Sequence, residues 1–498
     1  MIMTHHNHNH PRASSALQCS SVGMTVRRRN PKWIQWKRLL APLSLCLWIF
    51  WLRLQQKLFS ISMEGETSLE PWASNLQRPE VAVVDGYASV ATAASSGTPE
   101  ASASEANPSP RKQQDDTSDA TVAVATVAST HAPSSQSSVK VAYVISITSC
   151  PPANMTPTAI FDGPAVLAHS IQKLESRYPY DLVAMVLPSA MNCTSHLPLF
   201  GYKLIERDLG FTMESIGGRH DYQRYIRYDG CCGESEFLKL EAYTLLEYDV
   251  VVHLDTDLLI LKPMDGIIDA MIGIDNSTID VLHKDRPLPE EINFMFTRDY
   301  VQMSRWTNDT SKFAVQGGFF AIKPDKRVYR RLIGNIQKGK FNLKNGWNLQ
   351  GYAGYYGAPQ IQGLLSYFYG EHYRQGAVEL NPCIYNSMVS FPPRTADGRC
   401  RYNTTDGCQD CRDVPLSQLH STHFTVCYKP WVCPKHKYVC QLCKETHRAW
   451  FEMRREVEVK WKQAWPPIEN GFNANVTLGY CTSPRATGYI PMQLPKLE

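Results

Sequence analysis

The chain has 498 residues and a formal net charge of only +4, and Arg27, Arg28, Arg29, Lys32, Lys37 and Arg38 near its N-terminus account for more than that excess. A chain whose remainder has no basic surplus lacks the clustered positive surface that a nucleic-acid partner requires, so that class is excluded. Length alone would allow two or three domains, but the composition of the first 138 residues is not that of a packed core.

Residues 1–38 read as a cytoplasmic tail, opened by a His-rich stretch, THHNHNH, that is read as a disordered end. The fourteen uncharged residues LLAPLSLCLWIFWL (39–52) follow basic residues, which places those charges on the cytoplasmic side. Fourteen residues is short for a bilayer crossing. Arg53 and Lys57 can snorkel while Leu54, Leu58 and Phe59 extend the apolar surface, and no small-residue cleavage site follows. An uncleaved signal anchor over 39–59 is therefore preferred to a cleaved signal peptide. Residues 60–138 are rich in Ser, Thr, Ala and Pro and cannot bury enough apolar surface to offset their ordering entropy, so they read as an extended stem.

Two features put the rest on the lumenal side of a Golgi or ER membrane, as a single-pass type II protein. Six N-x-[ST] sequons begin at Asn154, Asn192, Asn276, Asn308, Asn403 and Asn475, all beyond the apolar segment. Thirteen of the fifteen cysteines lie beyond residue 149, a density suited to an oxidising compartment.

Within 139–498 the pattern changes to apolar strands alternating with helical segments. VAYVISIT (141–148) predicts a strand, GPAVLAHSIQKLES (163–176) a helix and DLVAMVLP (181–188) a second strand. FLKLEAYTLLEY (237–248) predicts a helix leading into a strand over 250–254, and KETHRAWFEMRREVEVKWKQAW (444–465) an amphipathic helix packed on the domain. This order implies an α/β fold: a mainly parallel, doubly wound sheet whose ligands bind at the carboxyl ends of the strands.

Asp255-Thr256-Asp257 stands at that end of the 250–254 strand, in VVHLDTDLLIL (251–261). Two unpaired anions there would be costly to bury, so a cation is expected to meet them. Residues two apart in an extended segment point the same way, and paired carboxylates suit Mg²⁺ or Mn²⁺. A lone D-x-D is more often a solvated turn, but a buried strand in front of it raises its weight.

Five segments in this order resemble glycosyltransferase family 8, the glycogenin-like retaining enzymes of the GT-A, Rossmann-like fold. They are VAYVISIT with FDGPAVLAHSI, then FLKLEAYTL, YDVVVHLDTDLLILKPMD, VQGGFFAIKP (315–324) and HFTVCYKPW (423–431). The resemblance implies a metal set of Asp255, Asp257 and His423 holding Mn²⁺, with Mg²⁺ as the alternative. It further implies a UDP-sugar donor bound by Thr148, Lys239, Asp255, Thr256, Asp257, Gln316, Gly317, His423 and Lys429, with Gln362 and Lys239 in catalytic roles. The partners implied are a nucleotide sugar and a glycan, glycoprotein or glycolipid acceptor. A metal and a nearby cation meet a chemical need, since breaking a sugar–phosphate bond leaves a diphosphate whose growing charge must be stabilised.

The sequence departs from the family at three places. Val426 stands at a glycine position of the signature, Gln316-Gly317 at an Asn-Ser pair, and Ile361 at an aspartate beside Gln362. Loss of that aspartate opens a rival reading, a catalytically degenerate lumenal protein that binds a sugar or partner. The cysteines at 400, 408, 411, 427, 433, 440 and 443 also admit two readings. Disulfides stapling the loops around His423–Trp431 are preferred, and a structural zinc held by Cys408-x₂-Cys411 and Cys440-x₂-Cys443, with His436 as a spare, is the alternative.

Overall fold

The β-branched run VVVHL forms a strand, Val250–Leu254, in which every residue is buried, as expected of a strand covered on both faces. It lies at the centre of a computed structural model that describes residues 139–150, 159–218, 220–228, 232–299, 312, 314–395, 398–401, 408–434, 440–462 and 469–495. The tail, anchor and stem expected over 1–138, the sequons at Asn154, Asn308 and Asn403, and His436 lie outside the described residues. Among those described, no helix is long and apolar enough to cross a membrane.

The elements run in chain order as β1 (Val141–Ile147), α1 (Ala159–Gln172), β2 (Tyr180–Val186), β3 (Tyr202–Glu206), α2 (His220–Tyr228), a 3₁₀ run (Gly233–Thr244) and β4 (Val250–Leu254). They continue through β5 (Leu258–Ile260), α3 (Asp265–Ile272), β6 (Phe294–Arg298), β7 (Val315–Ile322), α4 (Lys326–Lys338), β8 (Phe341–Asn342), β9 (Gly346–Trp347) and α5 (Ile361–Glu371). The last are β10 (Ala377–Glu379), β11 (Ser421–His423), α6 (Gln441–Lys460) and α7 (Ala474–Thr477).

Seven strands form one sheet in the order β10-β6-β7-β4-β1-β2-β3. The mainly parallel sheet expected from the sequence is present: β1 pairs in parallel with β2 and β4, β2 with β3, and β10 with β6. One strand departs from it. β7 is antiparallel to both β4 and β6, so its beginning, Val315 to Gly318, stands at the edge where β4 ends. Sequence patterning cannot reveal that reversal, because a strand buried on both faces reads the same in either direction.

The segment expected to be a helix over 237–248 is instead a 3₁₀ run from Gly233 to Thr244. Phe237 through Tyr243 are all buried, so no solvent-facing side exists to fix a 3.6-residue phase. Asp265 opens α3 and accepts hydrogen bonds from Ser176 Oγ at 2.7 Å and from the Arg177 amide at 3.0 Å.

The cysteines form disulfides: Cys150–Cys193, Cys383–Cys411, Cys400–Cys408, Cys427–Cys443 and Cys433–Cys481. Cys408, Cys411 and Cys443 are thereby each bonded to a different partner, which overturns the zinc alternative. The bonds at Cys427 and Cys433 bracket the loop after His423, tying it to α6 and to the C-terminal segment.

The helix predicted over 444–465 is α6, but its packed face is not purely apolar. Arg454, fully buried, donates to Glu458 Oε1 at 3.0 Å and lies 3.6 Å from Asp162 Oδ2 on α1. Tyr480 donates to Glu458 Oε2 at 2.5 Å, Tyr489 donates to Asp162, and the Met492 amide donates to Asp162 Oδ2 at 3.0 Å. Burial pushes the Asp162 carboxyl up, against the pull of the guanidinium. Removing one partner of such a cluster leaves uncompensated buried charge. Arg454→Met should therefore lower the free energy of unfolding by about 3–5 kcal/mol, read from urea denaturation of the full chain. A midpoint equal to that of the parent would show that the cluster contributes nothing net.

Candidate metal centre

β4 delivers Asp255 to the carboxyl edge of the sheet, and its direction is fixed there by a backbone bond: the Asp255 amide donates to Gly318 O on β7 at 2.8 Å. Two residues on, β5 pairs antiparallel with β11, with His423 opposite Leu258. That short ribbon brings the imidazole beside Asp257, and the Phe424 amide closes it by donating to Asp257 O at 3.0 Å. Asp255, Asp257 and His423 each offer a ligand atom, all within 4.8 Å of one another.

Each carboxylate meets the cation that the sequence required. Lys239 Nζ lies 2.8 Å from Asp255 Oδ1, and Lys429 Nζ lies 2.6 Å from Asp257 Oδ2, 172 positions away in the chain. His423 Nε2 is 3.2 Å from Asp257 Oδ1. The two carboxyls are driven in opposite directions. Burial, with the charge of Asp257 beside it, raises Asp255 against the pull of Lys239. Burial would also raise Asp257, but the imidazole of His423 and the ammonium of Lys429 together hold it well below the ordinary carboxylate range. Asp257 is thus an anion under all conditions near neutrality.

The cluster fits a divalent metal ion. Two carboxylates and one imidazole are a donor set of that character. Gly318 supplies the room: a Cβ placed on it would overlap Cε1 of His423 and lie 2.9 Å from Asp255 Oδ2 and 3.0 Å from Gln316 Oε1. Any larger residue at the floor of this site would have to displace the imidazole, the Asp255 carboxylate or the Gln316 amide.

The remaining predicted residues are placed as follows. Lys239 is buried and its ammonium donates to Asp255, to Glu236 Oε2 at 3.1 Å and to Gly317 O at 3.2 Å. Gln316 Oε1 accepts from the Gly318 amide at 2.7 Å. The Gln362 amide is engaged at both ends, accepting from the Gly317 amide at 2.9 Å and donating to Tyr356 O at 2.8 Å. It braces Gly317, and acting on a substrate would require one of those bonds to open. Thr256 points its carbonyl at Gly163 of α1. Thr148, half-buried, follows β1 at the same edge and is not among the side chains bonded to the carboxylates. Lys429 is about half exposed, at 49%, which separates it from the buried Lys239. Glu236 and Gly318 were not legible as site residues. Glu236 could have been found from its i, i+3 spacing to Lys239, whereas Gly318 carries no local signal.

Comparison with known proteins adds little. No family model matches the chain, and no curated protein matches it. Among solved structures, the WbbM bifunctional glycosyltransferase overlaps at 12% identity and a TM-score of 0.35, covering 67% of this chain and 53% of its own length. The chain thus spans about half of that protein. The galactosyltransferase LgtC in complex with donor and acceptor sugar analogues overlaps at 14% identity and a TM-score of 0.34, covering 63% of this chain and 95% of LgtC. Mouse xyloside xylosyltransferase 1 overlaps at 11% identity and a TM-score of 0.33, covering 50% of this chain and 87% of its own. Likenesses this slight carry no argument, and the function is argued from the side chains.

Gly318→Ala tests the geometry. Its methyl group must push the imidazole or Asp255 aside, so the stabilisation against heat expected of a saturating divalent ion such as Mn²⁺ should largely disappear. An undiminished Mn²⁺-dependent rise in Tm would show that the floor of the site is not where the metal sits.

Proposed function

We propose that the chain is a Mn²⁺-dependent glycosyltransferase of the GT-A type, resembling family 8. In this reading it moves a hexosyl unit from a UDP-sugar to a glycan, protein or lipid acceptor with retention of configuration. The observation that carries it is the convergence of Asp255, Asp257 and His423 at the carboxyl edge of β4, with a lysine bonded to each carboxylate. A bound divalent ion would supply positive charge to the departing diphosphate. The chain's own residues do the rest. Asp257, held ionised, and the Nε2 of His423 would grip the ion from the buried side, while Asp255, on the rim, would complete the set. Lys239, tied to Asp255 and Gly317, orients that carboxylate and the start of β7. Lys429 is the half-exposed cation of the cluster, able to leave Asp257 and meet phosphate oxygens. A retaining front-side displacement asks the protein chiefly to position donor and acceptor and to neutralise the leaving group.

The same reading places the domain in the lumen of the Golgi or ER behind an N-terminal anchor. The exposed sequon asparagines Asn192, Asn276 and Asn475 and the disulfides support it. A second reading, a degenerate protein that binds without turnover, is favoured by one observation. Ile361 is fully buried where the family carries an aspartate, and both ends of the neighbouring Gln362 amide are bonded to backbone.

The two readings separate on UDP-sugar hydrolysis by the purified full chain with and without Mn²⁺. Mn²⁺-dependent release of UDP from at least one donor supports the transferase, whereas donor binding with no release across a panel supports the binding protein. Asp257→Asn should abolish turnover with the fold retained by circular dichroism, because one carboxylate and one imidazole hold the ion poorly. Full activity in that variant would rule out the metal assignment.

A further inference from the structure

The metal reading leaves unexplained why the two halves of the site, β4 with β7 on one side and β11 on the other, keep a common geometry. Asn386 lies between them and is almost completely buried, at 1% exposure. Its backbone is in the left-handed region at φ 52°, which asparagine tolerates better than most residues. Its side-chain NH₂ donates to Thr297 Oγ1 on β6 at 2.8 Å and to Gln316 Oε1 on β7 at 3.1 Å. Since Gln316 Oε1 also accepts from the Gly318 amide, the oxygen of that glutamine faces Asn386 and the Asn386 nitrogen must face it in return. Both donors of the Asn386 amide are therefore committed, and Oδ1 is left buried with no partner among the described residues.

From this node two short paths lead to the proposed ligands. One runs from Asn386 through Gln316 Oε1 to the Gly318 amide, and Gly318 O in turn accepts from the Asp255 amide at 2.8 Å. The other runs through the backbone. The Asn386 amide donates to Ser421 Oγ at 2.7 Å, and Ser387 O accepts from the His423 amide at 2.9 Å and from Thr422 Oγ1 at 3.0 Å. Two adjacent residues thus fasten the strand bearing the imidazole to the turn bearing the carboxylate.

We infer that Asn386 is a positioning residue: its amide, locked between Thr297 and Gln316, sets the distance between His423 and Asp255 and so the affinity of the centre for a divalent ion. The inference rests on the metal reading above. A polar group that acts through a ligand's supports typically changes metal affinity 10- to 100-fold when removed.

The test is Mn²⁺ binding to the full chain, read from the electron paramagnetic resonance signal of free Mn²⁺, with thermal unfolding of the metal-free protein as a control. Asn386→Gly keeps a backbone suited to positive φ and removes the amide, so it should weaken Mn²⁺ binding by about 10- to 100-fold. Thr297→Val keeps the volume and removes one acceptor, and should weaken binding in the same direction by less. Thr297→Ser keeps the hydroxyl and should bind as the parent does. If packing alone matters, the order reverses: Ser is worse than Val. Parent-like affinity in Asn386→Gly overturns the inference. Should that variant fail to fold, parent-like affinity in Thr297→Val overturns it. No Mn²⁺ binding by the parent chain would sink the metal reading itself, and this inference with it.

Discussion

The site depends on one electrostatic constraint: two carboxylates stand at the end of a strand buried on both faces, and the fold must bring positive charge to them from elsewhere. Within β4 and the turn itself there is none to be had. Lys239 arrives from the 3₁₀ run before β4, while Lys429 and His423 arrive from a segment more than 160 residues later, since 423 − 257 = 166. Burial makes the pairing obligatory, because a buried carboxylate left without a cation would instead take up a proton. Asp255, on the rim, sits raised, and Asp257, beside the His423 imidazole and the Lys429 ammonium, sits lowered.

The architecture around this pair explains details that look unrelated. The antiparallel course of β7 puts a strand's beginning, rich in glycine, at an edge where the parallel strands end. Gly317 and Gly318 can then be approached closely by Lys239, by Gln362 and by the imidazole. The 3₁₀ run, unusually long for its type, carries Lys239 through a region buried on every side. The disulfides at Cys427 and Cys433 hold the loop that carries Lys429 at both ends.

Much of this was legible in the sequence, and the boundary of what was not has a physical cause. The buried strand and the cysteine density are local patterns, and the structure shows both. The D-x-D was expected in extended chain, but it lies in a turn between β4 and β5, where the Leu258 amide donates to Asp255 O at 3.2 Å, and the two carboxylates converge through that turn. His423 and Lys429 were legible only through resemblance to the family signature, since nothing near them in sequence says which carboxylate they meet. The direction of β7, the 3₁₀ form of the segment before β4, the glycine floor and Asn386 were not legible, because each is decided by strand pairing and close packing between distant segments. Asn386 is the clearest case. Its importance lies in two hydrogen bonds to residues 89 and 70 positions away, and no window of sequence holds both.

The site also combines rigid and compliant parts. Asp255, Asp257 and His423 are fixed by strand pairing and by backbone bonds, and their side chains are mostly enclosed. Lys429 is different: its ammonium is about half exposed, at 49%, and it follows Tyr428, a residue at positive φ, 63°, whose side chain is itself exposed. Only the lysine side of this pair is exposed, since the Asp257 side chain is 6% exposed, so Lys429 can part from it where other positive charge, that of a bound ion, takes its place. Parting Lys239 from Asp255 and Glu236 would strand a buried ammonium and costs far more. On the reading proposed here the two lysines are therefore not equivalent. Lys239 belongs to the scaffold, and Lys429 is the charge that can move toward an incoming diphosphate while the ion's ligands stay in place.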